Sequence, residues 1–216
     1  MEDRIVYPEL TEYLRSLLPE HTGLLRELEE YAKEPYVPII QPEVAQLLKV
    51  LFSYIKPRRI LEVGTAIGYS AIYFSGIMQE GGEIVTIERN PDMAVKAKEN
   101  FERAGLTRRI TLVQGDAIEV LDTLDGLFDT IFLDAAKGQY SKFLPKCLNL
   151  LEEGGTLITD NILYRGIVAS EELAPRKHIT IARNLRKYLY EITHSDRLET
   201  TILPIGDGVG ISRKIK

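Results

Sequence analysis

A chain of 216 residues with 44% hydrophobic and 27% charged side chains is long enough for one domain with a buried core and too apolar to stay disordered. Its 27 Lys and Arg against 32 Asp and Glu give a net charge of -5, which excludes a global positive field for polyanions and confines any nucleic-acid contact to a local patch. The single cysteine, Cys147, excludes an intrachain disulfide. The opening Met1-Glu2-Asp3-Arg4 lacks the basic-then-apolar pattern of a signal peptide, and no apolar run reaches the ~18 residues of a membrane span, so a cytoplasmic protein with no membrane segment is expected.

Leu10, Tyr13, Leu14 and Leu17 recur at helical spacing, and after Pro19 the pattern returns in Leu24, Leu25, Leu28 and Tyr31; two short amphipathic helices open the chain. Pro35-Tyr36-Val37-Pro38 breaks the pattern, and Pro42 stands where a third helix through Val44, Leu47, Leu48 and Leu51 would begin. These elements make a helical preface over 1–55 within a single domain, 1–216. Over 56–216, short apolar runs at 60–63, 84–87, 110–113, 130–133 and 157–159 alternate with amphipathic stretches, which predicts an α/β fold with a parallel sheet covered by helices on both faces. A long helical pattern follows at 179–192. Two strand-like runs, 198–203 and 209–215, then flank Pro204-Ile205-Gly206-Asp207-Gly208, a turn-forming cluster, so the sheet is expected to end in an antiparallel hairpin.

Leu61-Glu62-Val63-Gly64-Thr65-Ala66-Ile67-Gly68-Tyr69-Ser70 reads as a strand, a glycine loop and the start of a helix. Glycines there let a ligand approach the backbone, and a helix N-terminus favours negative charge. The Gly-x-x-x-Gly spacing lacks the three-glycine dinucleotide fingerprint, which weakens a nicotinamide reading. Acids stand at or just beyond the ends of the following strands: Glu88, Asp116, Asp134 and Asp160. One such acid would ordinarily cap a helix; four converging on the edge where open α/β sheets bind ligands point to a site, and Glu88 suits a ribose diol.

Residues 61–70, Glu88, Gly115-Asp116-Ala117, Phe132-Leu133-Asp134-Ala135-Ala136-Lys137 with Tyr140, and Asp160-Asn161 resemble the class I methyltransferases of the catechol and caffeoyl-CoA O-methyltransferase type, over most of the chain from Pro38 to Arg213. Within that family the likeness is greatest to the bacterial tRNA 5-hydroxyuridine methyltransferases, especially in 64–70, 160–166 and 203–214. The resemblance implies a Rossmann-like fold with a mostly parallel seven-stranded sheet, S-adenosylmethionine as cofactor, a divalent metal (usually Mg²⁺) and a homodimer. Carried over, Gly64 passes under the methionine moiety, with Glu62, Ser70 and the backbone near Ile40 around it. Glu88 holds the ribose, Asp116 and Ala117 frame the adenine, and Asp134 is shared between cofactor pocket and metal.

Asp134, Asp160 and Asn161 are hard oxygen ligands of the kind Mg²⁺ accepts, with no cysteine or histidine beside them to suggest zinc. Methyl transfer from a sulfonium is an in-line displacement, so orientation and proton removal carry it. Lys137 would take the acceptor's proton or, staying protonated, stabilise the oxygen; both alternatives stand. His21, His178 and His194 lack ligand partners in sequence and read as surface or cap residues, and Cys147 reads as a small buried hydrophobe. Arg176, Lys177, Arg183, Arg186 and Lys187 read as a solvated helix face.

Catechol enzymes of the family carry bulky residues, a tryptophan among them, between the metal aspartate and the lysine, where this chain has Ala135-Ala136 and no tryptophan at all. An open mouth suits a splayed nucleobase stacked on Tyr164, with Arg165 reaching a phosphate. Together with these residues, the likeness to the tRNA enzymes implies methylation of the 5-hydroxyl of 5-hydroxyuridine in a tRNA anticodon loop, giving 5-methoxyuridine, as the expected reaction. A small catechol or phenol is the alternative acceptor, and a non-catalytic S-adenosylmethionine-binding module is a second alternative.

Overall fold

The computed structural model describes residues 5–34, 37–170 and 175–216. Helices α1 (Pro8–Ser16), α2 (Gly23–Lys33) and α3 (Pro42–Ile55) come first, as the periodicity predicts, and Pro42 occupies the first turn of α3, where its missing N–H costs nothing. Pro35 and Tyr36 of the expected break lie outside the described residues. Then follow β1 (Arg59–Val63), α4 (Tyr69–Ser75), β2 (Glu83–Glu88), α5 (Pro91–Arg103), β3 (Ile110–Gln114), α6 (Ala117–Val120), β4 (Phe128–Leu133), α7 (Tyr140–Leu150), β5 (Leu151–Thr159), α8 (Ile179–Thr193), β6 (Leu198–Leu203) and β7 (Val209–Lys214).

The seven strands form one sheet in the order β3-β2-β1-β4-β5-β7-β6. β1 to β5 are parallel, and β7 pairs antiparallel with both β5 and β6, as the C-terminal hairpin reading requires. Successive strand residues serve opposite faces. Ile60, Phe132 and Ile158 pack with Val44, Leu48 and Phe52 of α3, Phe74 of α4 and Phe101 of α5. Leu61, Ile131, Leu133 and Leu157 pack with Tyr140, Phe143 and Cys147 of α7 and Leu185 and Tyr188 of α8. Both faces being apolar, the strands read as unbroken hydrophobic runs. Cys147 is fully buried, and burial pushes its thiol up to about 12, so it behaves as the small hydrophobe expected.

The fifth strand departs from expectation. It starts at Leu151, not 157, because Leu151 already pairs with Phe128, with a register shift before Thr130. Glu152-Glu153-Gly154-Gly155 looks like a turn in sequence; in the fold Gly154 takes φ 78°, and a Cβ at Gly155 would lie 2.9 Å from the Glu152 carbonyl oxygen, so the glycines carry a bulge within a strand. β7 ends one residue short of the expected run, at Lys214, whose ammonium turns back to the Leu148 and Leu151 carbonyls, 2.7 Å each, and closes the end of α7.

Candidate active site

β1 and β4 are neighbours although three strands apart in sequence numbering, and between them the direction of winding reverses, the place where open α/β sheets leave a crevice. A cavity of about 600 Å³ opens there. Its wall includes Ile40, Gly64, Ser70, Glu88, Asp116, Ala117, Asp134, Lys137 and Asn161, so nine of the residues singled out in sequence converge on one space.

The glycine loop is shaped by the strand ends. Gly64 has φ 105°, and a Cβ there would stand 2.0 Å from the Asp134 carbonyl oxygen, so only glycine lets the ends of β1 and β4 lie this close beside the crevice. Glu62 does not line the cavity. It is fully buried behind the loop, accepting hydrogen bonds from Ser70 Oγ and Thr86 Oγ1 at 2.5 Å each, while Thr86 also meets Thr65 Oγ1 at 2.6 Å. Its carboxylate thus sets Ser70 and, through Thr86, Thr65, both of which do face the cavity.

Desolvation pushes the Glu62 carboxyl up to about 7. Because this folded value lies above the ordinary value of 4.5, the folded protein holds the proton more tightly, and stability falls as pH rises between those two values. Glu62→Gln is therefore expected to raise the melting temperature at pH 8, by an amount reflecting up to about 3 kcal/mol, and to leave it nearly unchanged near pH 4. Melting curves at the two pH values check this; equal effects at both would remove it.

Glu88, ending β2, accepts the Ala66 N–H at 2.8 Å and the Asn90 N–H at 2.7 Å, one on each oxygen, which aims the carboxylate into the cavity and leaves further lone pairs on both oxygens. Asp116 has two tasks. It caps α6 through the Ile118 N–H at 2.9 Å, the structural role an isolated acid would have, and its other oxygen lies 3.8 Å from the exposed Arg89 guanidinium at the cavity wall.

Asp134 and Asp160 end adjacent strands, and their amides continue the sheet by donating to the Val63 and Leu133 carbonyls at 2.9 Å. Asp160 is 1% exposed and sits behind the cavity wall; Asn161 next to it turns into the cavity with φ 57°. Tyr140, itself fully buried, ties the two strand ends together by donating to the Asp160 carbonyl at 3.0 Å. Desolvation raises Asp134 to about 6 and Asp160 well above the usual carboxylate range, and Lys137 opposes both shifts. Lys137 interacts electrostatically with Asp134, Asp160 and Asp207, and of the three it pairs directly with Asp207. The Asp134 and Asp160 carboxylates and the Asn161 amide suit a hard divalent cation by donor type.

Lys137 opens a 3₁₀ turn, Lys137–Gln139, and its Nζ lies 3.3 Å from Asp207 Oδ2 and 5.1 Å from the centre of the Tyr164 ring. Tyr164 and Arg165 lie at a kink at the start of the segment Tyr164–Ala169, where Arg165 and Gly166 are not helical, and they do not line the large cavity; Tyr164 borders it through Lys137. Asp207, which in sequence shows only the features of a turn, is a further functional-looking residue beside Lys137.

Two expectations for charged residues are corrected. His21 is neither surface nor cap: its Nδ1 lies 2.5 Å from Glu29 Oε1, which also accepts the Tyr69 hydroxyl at 2.5 Å, and Tyr69 lines the cavity. Helices α2 and α4 pack there, and the loop holding His21 folds onto them. Arg186 is not on a solvated face; its guanidinium donates to the Val168 carbonyl at 2.7 Å and the Ile167 carbonyl at 3.3 Å, tying α8 to the segment after Tyr164. His178 and His194 do flank α8, although His178 also meets the Tyr164 hydroxyl at 2.8 Å.

A doubly wound sheet with a ligand-sized crevice at its switch point, walled by acids at the strand ends, defines a Rossmann-like small-molecule-binding enzyme fold. The sequence matches the profile of the O-methyltransferase family over residues 16–215, and the chain belongs to that family. Caffeoyl-CoA O-methyltransferase 1 of Zea mays is 31% identical over 211 residues, covering 93% of this chain and 82% of the maize protein. Among solved structures, a Staphylococcus aureus protein provisionally described as a caffeoyl-CoA O-methyltransferase superposes with a TM-score of 0.89 at 33% identity, covering 95% of this chain and 99% of that one. The Podospora anserina methyltransferase PaMTH1, crystallised with bound SAH, superposes with a TM-score of 0.85 at 28% identity, covering 95% and 94%. Among the described residues no helix is long and apolar enough to cross a membrane.

Proposed function

We propose that this chain transfers a methyl group from S-adenosylmethionine to a hydroxyl of a planar ring that carries a second oxygen beside it, with Mg²⁺ bound by Asp134, Asp160 and Asn161. The observation that carries this reading is the single cavity in which Gly64, Glu88 and Asp116 face Asp134, Lys137 and Asn161. Glu88, its orientation fixed by two backbone amides, accepts the ribose hydroxyls, and Asp116 with Ala117 borders the adenine. Ser70, held by Glu62, closes on the methionine end together with Ile40. The metal, when bound, lowers the pKa of the acceptor hydroxyl and fixes its direction.

In the displacement the acceptor oxygen bonds to the methyl carbon as the carbon–sulfur bond breaks, leaving S-adenosylhomocysteine. Of the two roles open to Lys137, its pairing with Asp207 and the Tyr164 ring favours the ammonium: Nζ keeps its proton and stabilises the oxygen while the hydroxyl proton passes to solvent water. Glu88→Ala is expected to raise the cofactor dissociation constant roughly tenfold or more, the cost of losing charge-assisted hydrogen bonds. Calorimetry measures it, and unchanged affinity would defeat the ribose assignment.

For the acceptor we propose 5-hydroxyuridine in a tRNA anticodon loop. The small Ala135-Ala136 pair, with Ala136 exposed at the cavity mouth, supports it, as does Arg165, which follows Tyr164, the ring against which Lys137 of the cavity wall stands. The names of the relatives favour a second reading, a small catechol-like phenol. Mass spectrometry of nucleosides after incubation with hydroxyuridine-containing tRNA or a catechol, each with S-adenosylmethionine and Mg²⁺, separates the two. A homodimer belongs to the same proposal: α1 buries none of its residues, and Leu10, Tyr13 and Leu14 on it and Leu17 just after it are exposed. A monomer in sedimentation at every concentration would remove it.

A further inference from the structure

Four consecutive amides of the segment that follows β5 point at one turn. Ile162 N–H donates to the Gly208 carbonyl at 3.0 Å, Leu163 N–H and Tyr164 N–H donate to the Asp207 carbonyl at 2.9 and 3.3 Å, and Arg165 N–H donates to the Asp207 carboxylate. The turn is the one joining β6 and β7, more than forty residues further along the chain, and it is built to press on this segment. A Cβ at Gly208 would lie 2.3 Å from Leu163 Cγ and 2.8 Å from the Leu163 nitrogen.

The clamped segment needs the support. Asn161, Tyr164 and Arg165 have φ of 57°, 46° and 56°, left-handed conformations that cost non-glycine residues roughly 1–2 kcal/mol each. Such conformations persist where surrounding hydrogen bonds over-determine them. The same Asp207 carboxylate gives its second oxygen to Lys137 Nζ at 3.3 Å, with the Asp207 side chain only 12% exposed, so solvent screens the pair weakly. Lys137 in turn stands against the Tyr164 ring, and Tyr164 against His178.

We propose that Asp207 is a positioning residue of the acceptor side: one carboxylate holds the Lys137 ammonium and the Arg165 amide together, so that the lysine, Asn161 and the Tyr164 ring form a single preorganised unit. This rests on the function proposed above in assigning Lys137 to the acceptor oxygen. Asp207 does not line the cofactor cavity, so its effect falls on transfer and not on cofactor binding.

Two substitutions separate its tasks. Asp207→Asn keeps an oxygen for the Arg165 amide and removes the charge that holds Lys137; Asp207→Ala removes both. In the resting full-length protein, Asp207→Ala is expected to speed hydrogen exchange at the Arg165 amide about tenfold or more, whereas Asp207→Asn leaves it within about threefold. Both are expected to raise the reactivity of Lys137 toward an amine-directed label, read by mass spectrometry. With an acceptor present, Asp207→Asn should lower kcat about tenfold at unchanged cofactor affinity, and the loss should shrink to under about twofold in a Lys137→Met background, as coupled residues require. Unchanged Arg165 exchange and unchanged Lys137 labelling in the alanine variant would overturn the proposal. So would an equal loss of kcat with and without Lys137. The exchange and labelling measurements need no acceptor, so they decide the positioning even if no tested hydroxyl is methylated.

Discussion

Asp160→Asn is expected to abolish methyl transfer and, in the same protein, to raise the melting temperature measured in EDTA. Asp160 is 1% exposed at the end of β5, facing Asp134 and Asp207, and desolvation followed by the Asp134 charge holds its carboxyl well above the usual range. A carboxylate that binds its proton more tightly folded than unfolded destabilises the fold once pH exceeds its ordinary value, and increasingly so up to the raised one. Asparagine keeps the shape and the oxygen that accepts the Asn161 N–H at 2.7 Å, while removing the charge. The fold therefore gains at neutral pH, and the gain disappears in acid.

Activity moves the other way. The charge that is costly without a cation is the charge that would bind one, and polarisation of the acceptor by a metal is worth several kcal/mol, so a loss of about a thousandfold or more in kcat is expected. Cofactor affinity should change little, since Glu88, Asp116 and Ser70 are untouched. Melting curves with EDTA and with Mg²⁺, calorimetry for the cofactor and a turnover assay measure the three effects. Full activity of the parent protein in EDTA would sink the metal assignment, and a destabilised variant would show that Asp160 is needed for packing instead. Stability sacrificed at a functional site is the general pattern that this opposition instances.

The sheet was legible because its cause is local. Ile60, Leu61, Ile131, Phe132, Leu157 and Ile158 send alternate side chains into two helix layers, and a strand buried on both faces must be apolar throughout, which a sequence displays directly. The ligand edge was legible for the same reason: an acid at the end of a parallel strand is placed by the strand, and Glu88, Asp116 and Asp134 reach one cavity with no further information.

What the sequence hid depends on contacts between distant segments. Glu62 alternates to the inner side of β1 and works through Ser70 and Thr86; only the pairing of β1 with β2 reveals that Thr86 lies opposite it. His21 looks like a loop residue until α2 and α4 bring Glu29 and Tyr69 to it. Asp207 carries a weak signal, an acid between two glycines whose φ of 56° and 90° make the turn. Its partners Lys137 and Arg165 lie 70 and 42 residues earlier, beyond any local pattern.

Arg165→Glu is expected to separate the two acceptor classes. If tRNA is the acceptor, the substitution removes a phosphate contact and adds repulsion, so turnover of hydroxyuridine-containing tRNA should fall at least about tenfold, and the salt dependence of the remaining binding should flatten by about one phosphate. A free catechol has no phosphate, and its turnover should change by less than about threefold. Asp207 accepts the Arg165 amide, a bond that the substitution retains, although the guanidinium charge that also acts on Asp207 is lost. A new carboxylate near Asp207 could still disturb Lys137; Arg165→Gln, which adds no charge, controls for it and should show the smaller part of the tRNA loss with the same selectivity. The net charge of -5 sharpens the expectation, because a protein with no general attraction for polyanions depends more heavily on each local cation. Equal losses on tRNA and catechol would place Arg165 in the common machinery of transfer, and efficient turnover of catechol beside untouched tRNA would assign the open mouth at Ala135-Ala136 to a small phenol.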